Sequence, residues 1–186
     1  MARSTRPAWI APLLGVLALL LVGGLAWWAL AGRSSGSNAL NEGITAYKEG
    51  RREAAEGAFR KAALDAPADP LPHVYMARME RERGNLQNAN AEAAKAVALG
   101  PTSALALREL ASVLFAQKNY ELARTFYIRA LKADPSDRLA QGFLGCSLIR
   151  LGRVDEGAKW ISRAGTGGWS TCLPAQGGAA TGMPNP

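Results

Sequence analysis

Two hydrophobic patterns divide this chain. From Ala8 to Ala31 no charged residue interrupts a run rich in leucine, alanine and tryptophan. Beyond the polar stretch Ser34-Ser35-Gly36-Ser37-Asn38 the apolar positions instead return every three or four residues, the period of helices with one buried face. That second pattern repeats itself. Pro67, Pro101 and Pro135 are spaced 34 apart, and aligning on them brings other columns into register. A small column reads Ala55, Ala89, Ala123, Gly157, a bulkier one Phe59, Ala93, Tyr127, Ile161, and a third Ala62, Ala96, Ala130, Ala164, each of the last preceded by a cation. A turn column reads Gly50, Gly84, Lys118, Gly152, and a further small column reads Gly43, Ala77, Ala111, Gly145. Small residues let two backbones approach, larger apolar ones fill the gaps, and glycine or proline ends each helix. The pattern predicts helices over 37–48, 53–65, 71–83, 86–98, 104–117, 120–132, 138–150 and 154–164.

The 34-residue period and these columns resemble the tetratricopeptide-repeat (TPR) family over residues 36 to 165. The resemblance implies an all-α solenoid of about four helical hairpins, with repeats near 36–69, 70–103, 104–137 and 138–165 inside a repeat domain spanning 39–165. Departures are visible. His73, Leu107 and Gln141 stand where the family has tryptophan, and the fourth repeat lacks its closing proline and runs into Gly165-Thr166-Gly167-Gly168. Residues 165–186 hold six glycines and three prolines among 22, so residues 166–186 are expected to be a flexible tail.

The uncharged segment has the length of a membrane span. A helix starting at Ile10 or Ala11 and running to Ala31 is about 31–33 Å long, the thickness of a hydrocarbon core, and Trp9 and Trp27-Trp28 mark its two ends as interface anchors. Ala29-Leu30-Ala31 also fits a signal-peptide cleavage site, but the apolar run is longer than such peptides use. The expected order is therefore a short N-terminus over 1–9, a single transmembrane helix over 10–31, a linker over 32–38 and the repeats. Arg3 and Arg6 before the span against the lone Arg33 after it predict a cytoplasmic N-terminus and repeats facing the periplasm of a bacterial inner membrane.

Composition narrows the function. The 22 Lys and Arg exceed the 15 Asp and Glu by seven, but setting Arg3, Arg6 and Arg33 aside leaves 19 cations against 15 anions without clustering. That is not a nucleic-acid footprint. No nucleophile–base pair, phosphate-cradling glycine loop or metal cluster can be assembled, so neither an enzyme nor a cofactor is expected. His73, Met76 and Met79 recur along one helix, but His73 and Met76 fall on core-packing columns, which favours packing over ligation.

The resemblance implies a protein partner held in a groove lined by the first helix of each repeat. The matching positions are Leu40, Ile44, Tyr47, Val74, Arg78, Arg81, Arg108, Ser112, Phe115, Cys146 and Ile149. Tyr47, Phe115 and the three arginines have the chemistry of interface anchors for an acidic segment, the alternative being a solvated cationic face. The Lys/Asn clamp of chaperone-binding relatives is missing, since Leu40 and Ile44 occupy its first two positions. Cys146 and Cys172 are a candidate disulfide in an oxidising compartment, the alternative being a buried small residue plus a tail thiol. The fourth repeat has an apolar end that needs a cover. The tail through Trp169, Cys172 and Leu173 offers one, and a partner docking on Trp160 and Trp169 offers another; the partner is expected, because the tail has few apolar residues. The architecture resembles TPR assembly factors of bacterial envelope complexes. It implies a membrane-tethered scaffold or adaptor, with a permanent structural subunit of a respiratory or photosynthetic complex as the alternative.

Overall fold

The computed structural model describes residues 38–173. The expected span, the linker up to 37 and the tail from 174 lie outside them, and among the described residues no helix is long and apolar enough to cross a membrane. Eight α-helices and no strand are present among these residues. They are α1 (38–48), α2 (Arg52–Asp65), α3 (Leu71–Glu82), α4 (Leu86–Leu99), α5 (Ala104–Ala116), α6 (Tyr120–Ala133), α7 (Arg138–Arg150) and α8 (Val154–Ala164), with a closing 3-10 turn at Gly168–Cys172. They fall into two compact units, one ending at Pro67 and one beginning at Ala68.

The first unit is a single hairpin. Phe59 of α2 is fully buried, and Gly43 of α1 makes room for it: a Cβ there would lie 2.6 Å from the ring. Ala39, Leu40 and Ala46 of α1 and Ala55 and Ala62 of α2 complete the buried side.

The second unit stacks three hairpins, α3–α4, α5–α6 and α7–α8, with each first helix also touching the next: α3 meets α5 and α5 meets α7. The small columns set the spacing within each hairpin. Ala77, Ala89, Ala111 and Ala123 are fully buried in one core with Leu107, Val113, Tyr127 and Leu144. In the last hairpin glycines bring the helices closer still, since a Cβ on Gly145 would stand 2.7 Å from the Gly157 carbonyl and one on Gly157 2.6 Å from that of Gly145.

Helix starts follow local chemistry. Ser103, Asn119 and Asp137 each accept a hydrogen bond from a backbone N–H in the first turn of the helix they precede. The turn column ends each first helix in the left-handed conformation, with φ of +75° at Gly50, +84° at Gly84 and +81° at Gly152. Lys118 takes the same conformation, at φ +62°, with a side chain that disfavours it.

One expectation is corrected here. The flexible tail does not begin at 166, because Gly168–Cys172 forms a 3-10 turn whose Trp169 is only 5% exposed. The cause lies in α7, where Gly142 leaves a bare backbone for the indole.

Candidate interaction face

The first helices of the second unit present corresponding positions every 34 residues: Val74, Arg108, Gly142; Arg78, Ser112, Cys146; and Arg81, Phe115, Ile149. Arg78 and Arg81 are one turn apart on α3 and so share a side of it. Both reach Glu109 of α5, whose side chain is 2% exposed. Arg78 donates from Nε to Oε2 at 3.1 Å and Arg81 from Nε to Oε1 at 2.9 Å, so each carboxylate oxygen has its own donor. A carboxylate this deeply buried is tolerable only when paired and hydrogen-bonded.

The next step along the stack repeats the device. Arg108 of α5 donates from Nη1 to Asp137 Oδ2 at 2.8 Å, while Asp137 Oδ1 accepts from the Ala140 N–H at the start of α7. Ser112 donates to the Arg108 carbonyl at 2.9 Å and accepts from the Tyr127 hydroxyl at 3.1 Å. Burial pushes the Tyr127 phenol far above its ordinary range, so it stays a neutral donor. Three arginines thus meet two carboxylates on this face, and the Arg81 side chain keeps 28% of its surface open to solvent.

Aromatic residues take over toward α7. Phe115 packs edge-on against Tyr120 at 5.3 Å and Phe143 at 5.6 Å between centroids, and Phe143 meets Trp169 at 6.0 Å. Cys146 is fully buried and bonded to Cys172, S–S 2.02 Å and Cα–Cα 5.4 Å. Phe115 and Ile149 remain half-buried.

Several expected positions change character. Val74 is no groove residue: it is buried with Ala96 and Ala106 where α3 leads into the next repeat. Leu40 is buried in the first unit, where Ile44 and Tyr47 are half-buried and the Arg52 guanidinium lies 4.8 Å over the Tyr47 ring. The arginines are not a solvated cationic surface, because α5 and the residue capping α7 supply acids to them. Trp169 is not available to a partner, since its own chain buries it, whereas Trp160 is half-buried with the Arg163 guanidinium 4.9 Å over its ring. His73 is buried, its Nδ1 2.7 Å from Glu92 Oε2.

Glu109, Asp137 and Gly142 shape this face and were not among the positions expected from the sequence. The signal for the acids was spacing. Side chains that meet across adjacent first helices are 28, 29 and 31 residues apart, fewer than the 34 of the repeat, because neighbouring helices pack with an offset. Glu109 also stands out in its column, between Tyr75 and Phe143.

The family model for the tetratricopeptide repeat matches residues 40–104, 76–137 and 108–168. No curated protein matches the chain. Among solved structures, PilF of Pseudomonas aeruginosa aligns with TM-score 0.67 at 20% identity over 72% of this chain and 61% of its own. A thermophilic TPR protein of Thermus thermophilus aligns with TM-score 0.62 at 22% identity over 69% of this chain and 72% of its own. The first TPR of Spaghetti (RPAP3), bound to an HSP90 peptide, aligns with TM-score 0.60 at 21% identity over 64% of this chain and 94% of its own. At these identities the likeness is one of fold. This chain spans about three-fifths of the PilF chain, 61%.

Proposed function

Since the chain belongs to the tetratricopeptide-repeat family, whose model covers residues 40 to 168, we propose that it is a membrane-tethered interaction scaffold that holds protein partners during assembly of a bacterial envelope complex. The observation that carries the binding reading is the braced arginine–carboxylate ladder on α3, α5 and α7. Guanidinium groups held by Glu109 and Asp137 are pre-organised, so little side-chain freedom is lost when a ligand meets them. A partly exposed guanidinium in the column of Phe115 suits an extended acidic segment with an apolar anchor. The HSP90 peptide on the Spaghetti (RPAP3) domain is a precedent for a peptide ligand on this fold.

The apolar run over 10–31 supports tethering, and the arginine bias across it supports a periplasmic repeat domain. The Cys146–Cys172 bond agrees with an oxidising compartment. A reporter fusion after residue 173 tests the topology: alkaline phosphatase there is active if the repeats face the periplasm and inactive if they face the cytoplasm. Affinity purification of the full chain in mild detergent tests the scaffold reading. Varied, washable clients support it, and one complex of fixed stoichiometry that survives washing replaces it with a permanent subunit.

A further inference from the structure

In the second unit α3 is packed against the next first helix, α5, and α5 against α7. No further helix follows α8 among the described residues, and the 3-10 turn packs against α7 instead. Gly165, at φ +74°, turns the chain back. Arg138 of α7 donates from Nε to the Ala164 carbonyl at 2.8 Å, and Trp169 Nε1 donates to the Gly165 carbonyl at 2.7 Å. The indole lies on Gly142, where a Cβ would fall 2.1 Å from it, and shares a buried cluster with Cys146, Ile161 and Ala164. Gly142 and Cys146 are the α7 counterparts of Arg108 and Ser112, so the arm occupies the interaction face at its last repeat.

The hold is lopsided. Residues 165–168, 170 and 171 are exposed, and Trp169 is the one buried residue of the arm. Gly165, Gly167 and Gly168 lose more conformational freedom on ordering than any other residue type would. One buried indole and a few short-range hydrogen bonds oppose that loss, and the disulfide adds a covalent restraint. The two cysteines are also unequal: Cys146 is fully buried, whereas Cys172 is half-buried.

We propose that residues 166–173 form a thiol-controlled latch that closes the last repeat of the interaction face while Cys146 and Cys172 are bonded, and opens it when they are reduced. The reductant is a dithiol. One of its thiolates attacks Cys172 Sγ, and Cys146 leaves as a thiolate that takes up a proton. The second thiol of the reductant then displaces Cys172 from the mixed disulfide. Two electrons pass to the protein, leaving two cysteine thiols, and the dithiol becomes a disulfide. The freed arm uncovers Gly142, Phe143 and Cys146. That the covered surface is an interaction face rests on the proposed function, whereas the opening of the arm holds or fails independently of any partner.

Hydrogen exchange of the full chain in detergent, with and without dithiothreitol, tests it. The amides of Gly167, Ser170 and Leu173 are hydrogen-bonded within the arm and report its closure. Reduction is expected to speed their exchange by at least about tenfold, the scale on which a lost cross-link releases a local opening. Amides of α5 and α6 keep their protection. Cys172→Ser behaves like the reduced chain without added thiol. Unchanged exchange of the three amides after verified reduction overturns the latch, because Trp169 then suffices to hold the arm. Loss of protection throughout α5 to α8 overturns it too, because the bond is then a staple of the whole stack.

Discussion

The α3–α5 step and the outward face of α7 use the same columns of one repeat and solve opposite problems. At α3 the positions carry Arg78 and Arg81, and the next helix answers with Glu109. At α7 the corresponding positions carry Cys146 and Ile149, beside Gly142, and the answer is a returning arm with one tryptophan and one cysteine. A charged pair requires two well-placed partners, so it suits the interior of a stack where a neighbouring helix is guaranteed. At the end of the stack no such helix exists among the described residues, and an apolar floor with a covalent clasp needs only a few residues of irregular chain.

The largest effect is expected when Glu109 is left without its arginines. Replacing Arg78 and Arg81 together by methionine keeps most of the packing and strands a buried carboxylate. The expected cost is about 3–5 kcal/mol, read as a lower urea midpoint with an unchanged slope. A cost under about 1 kcal/mol would mean that the ladder behaves as a surface pair.

Gly142→Ala tests the other side. The added methyl group displaces the Trp169 indole, with an expected loss of about 1–3 kcal/mol and a red shift of tryptophan emission. Tyr127→Phe removes the hydroxyl that bonds Ser112 next to the ladder while keeping the ring, and about 1 kcal/mol is the expected loss in the same urea titration. Lys118→Gly is expected to stabilise the chain by roughly 0.5–1 kcal/mol, because glycine accepts the left-handed turn and the relief outweighs its own entropy loss. A higher melting temperature checks it, and destabilisation would show that the Lys118 side chain has a role in that turn.

The hairpins were legible because small residues at a fixed period can do little except bring helices together. The helix expected over 86–98 is Leu86–Leu99, and that over 71–83 is Leu71–Glu82. The site was less legible. Reading down columns at a period of 34 finds which residues share a face, but partners across adjacent helices follow the packing offset. Arg78 and Arg81 therefore looked unpaired while Glu109 and Asp137 went unread. Val74 looked like a groove residue because its column carries Arg108 in the next repeat, although the first-helix surface at Val74 is closed over by Ala96 and Ala106. The returning arm and the Cys146–Cys172 bond were among the alternatives the sequence offered, but a partner was preferred as the cover because glycines and prolines outnumber Trp169 and Cys172, whose hold depends on a bare backbone at Gly142 that composition does not reveal.

On the proposed function the face built by α3, α5 and α7 binds protein. The most direct test of that binding is co-purification with the full chain carrying Arg81→Lys and Phe115→Leu, which keep the charge near Glu109 and an apolar group near Phe143 while altering what a ligand meets. Partners captured by the parent chain are expected to be lost while far-ultraviolet circular dichroism and the thermal midpoint stay close to the parent's. Undiminished capture by a folded double variant would contradict it and move the binding site away from this face.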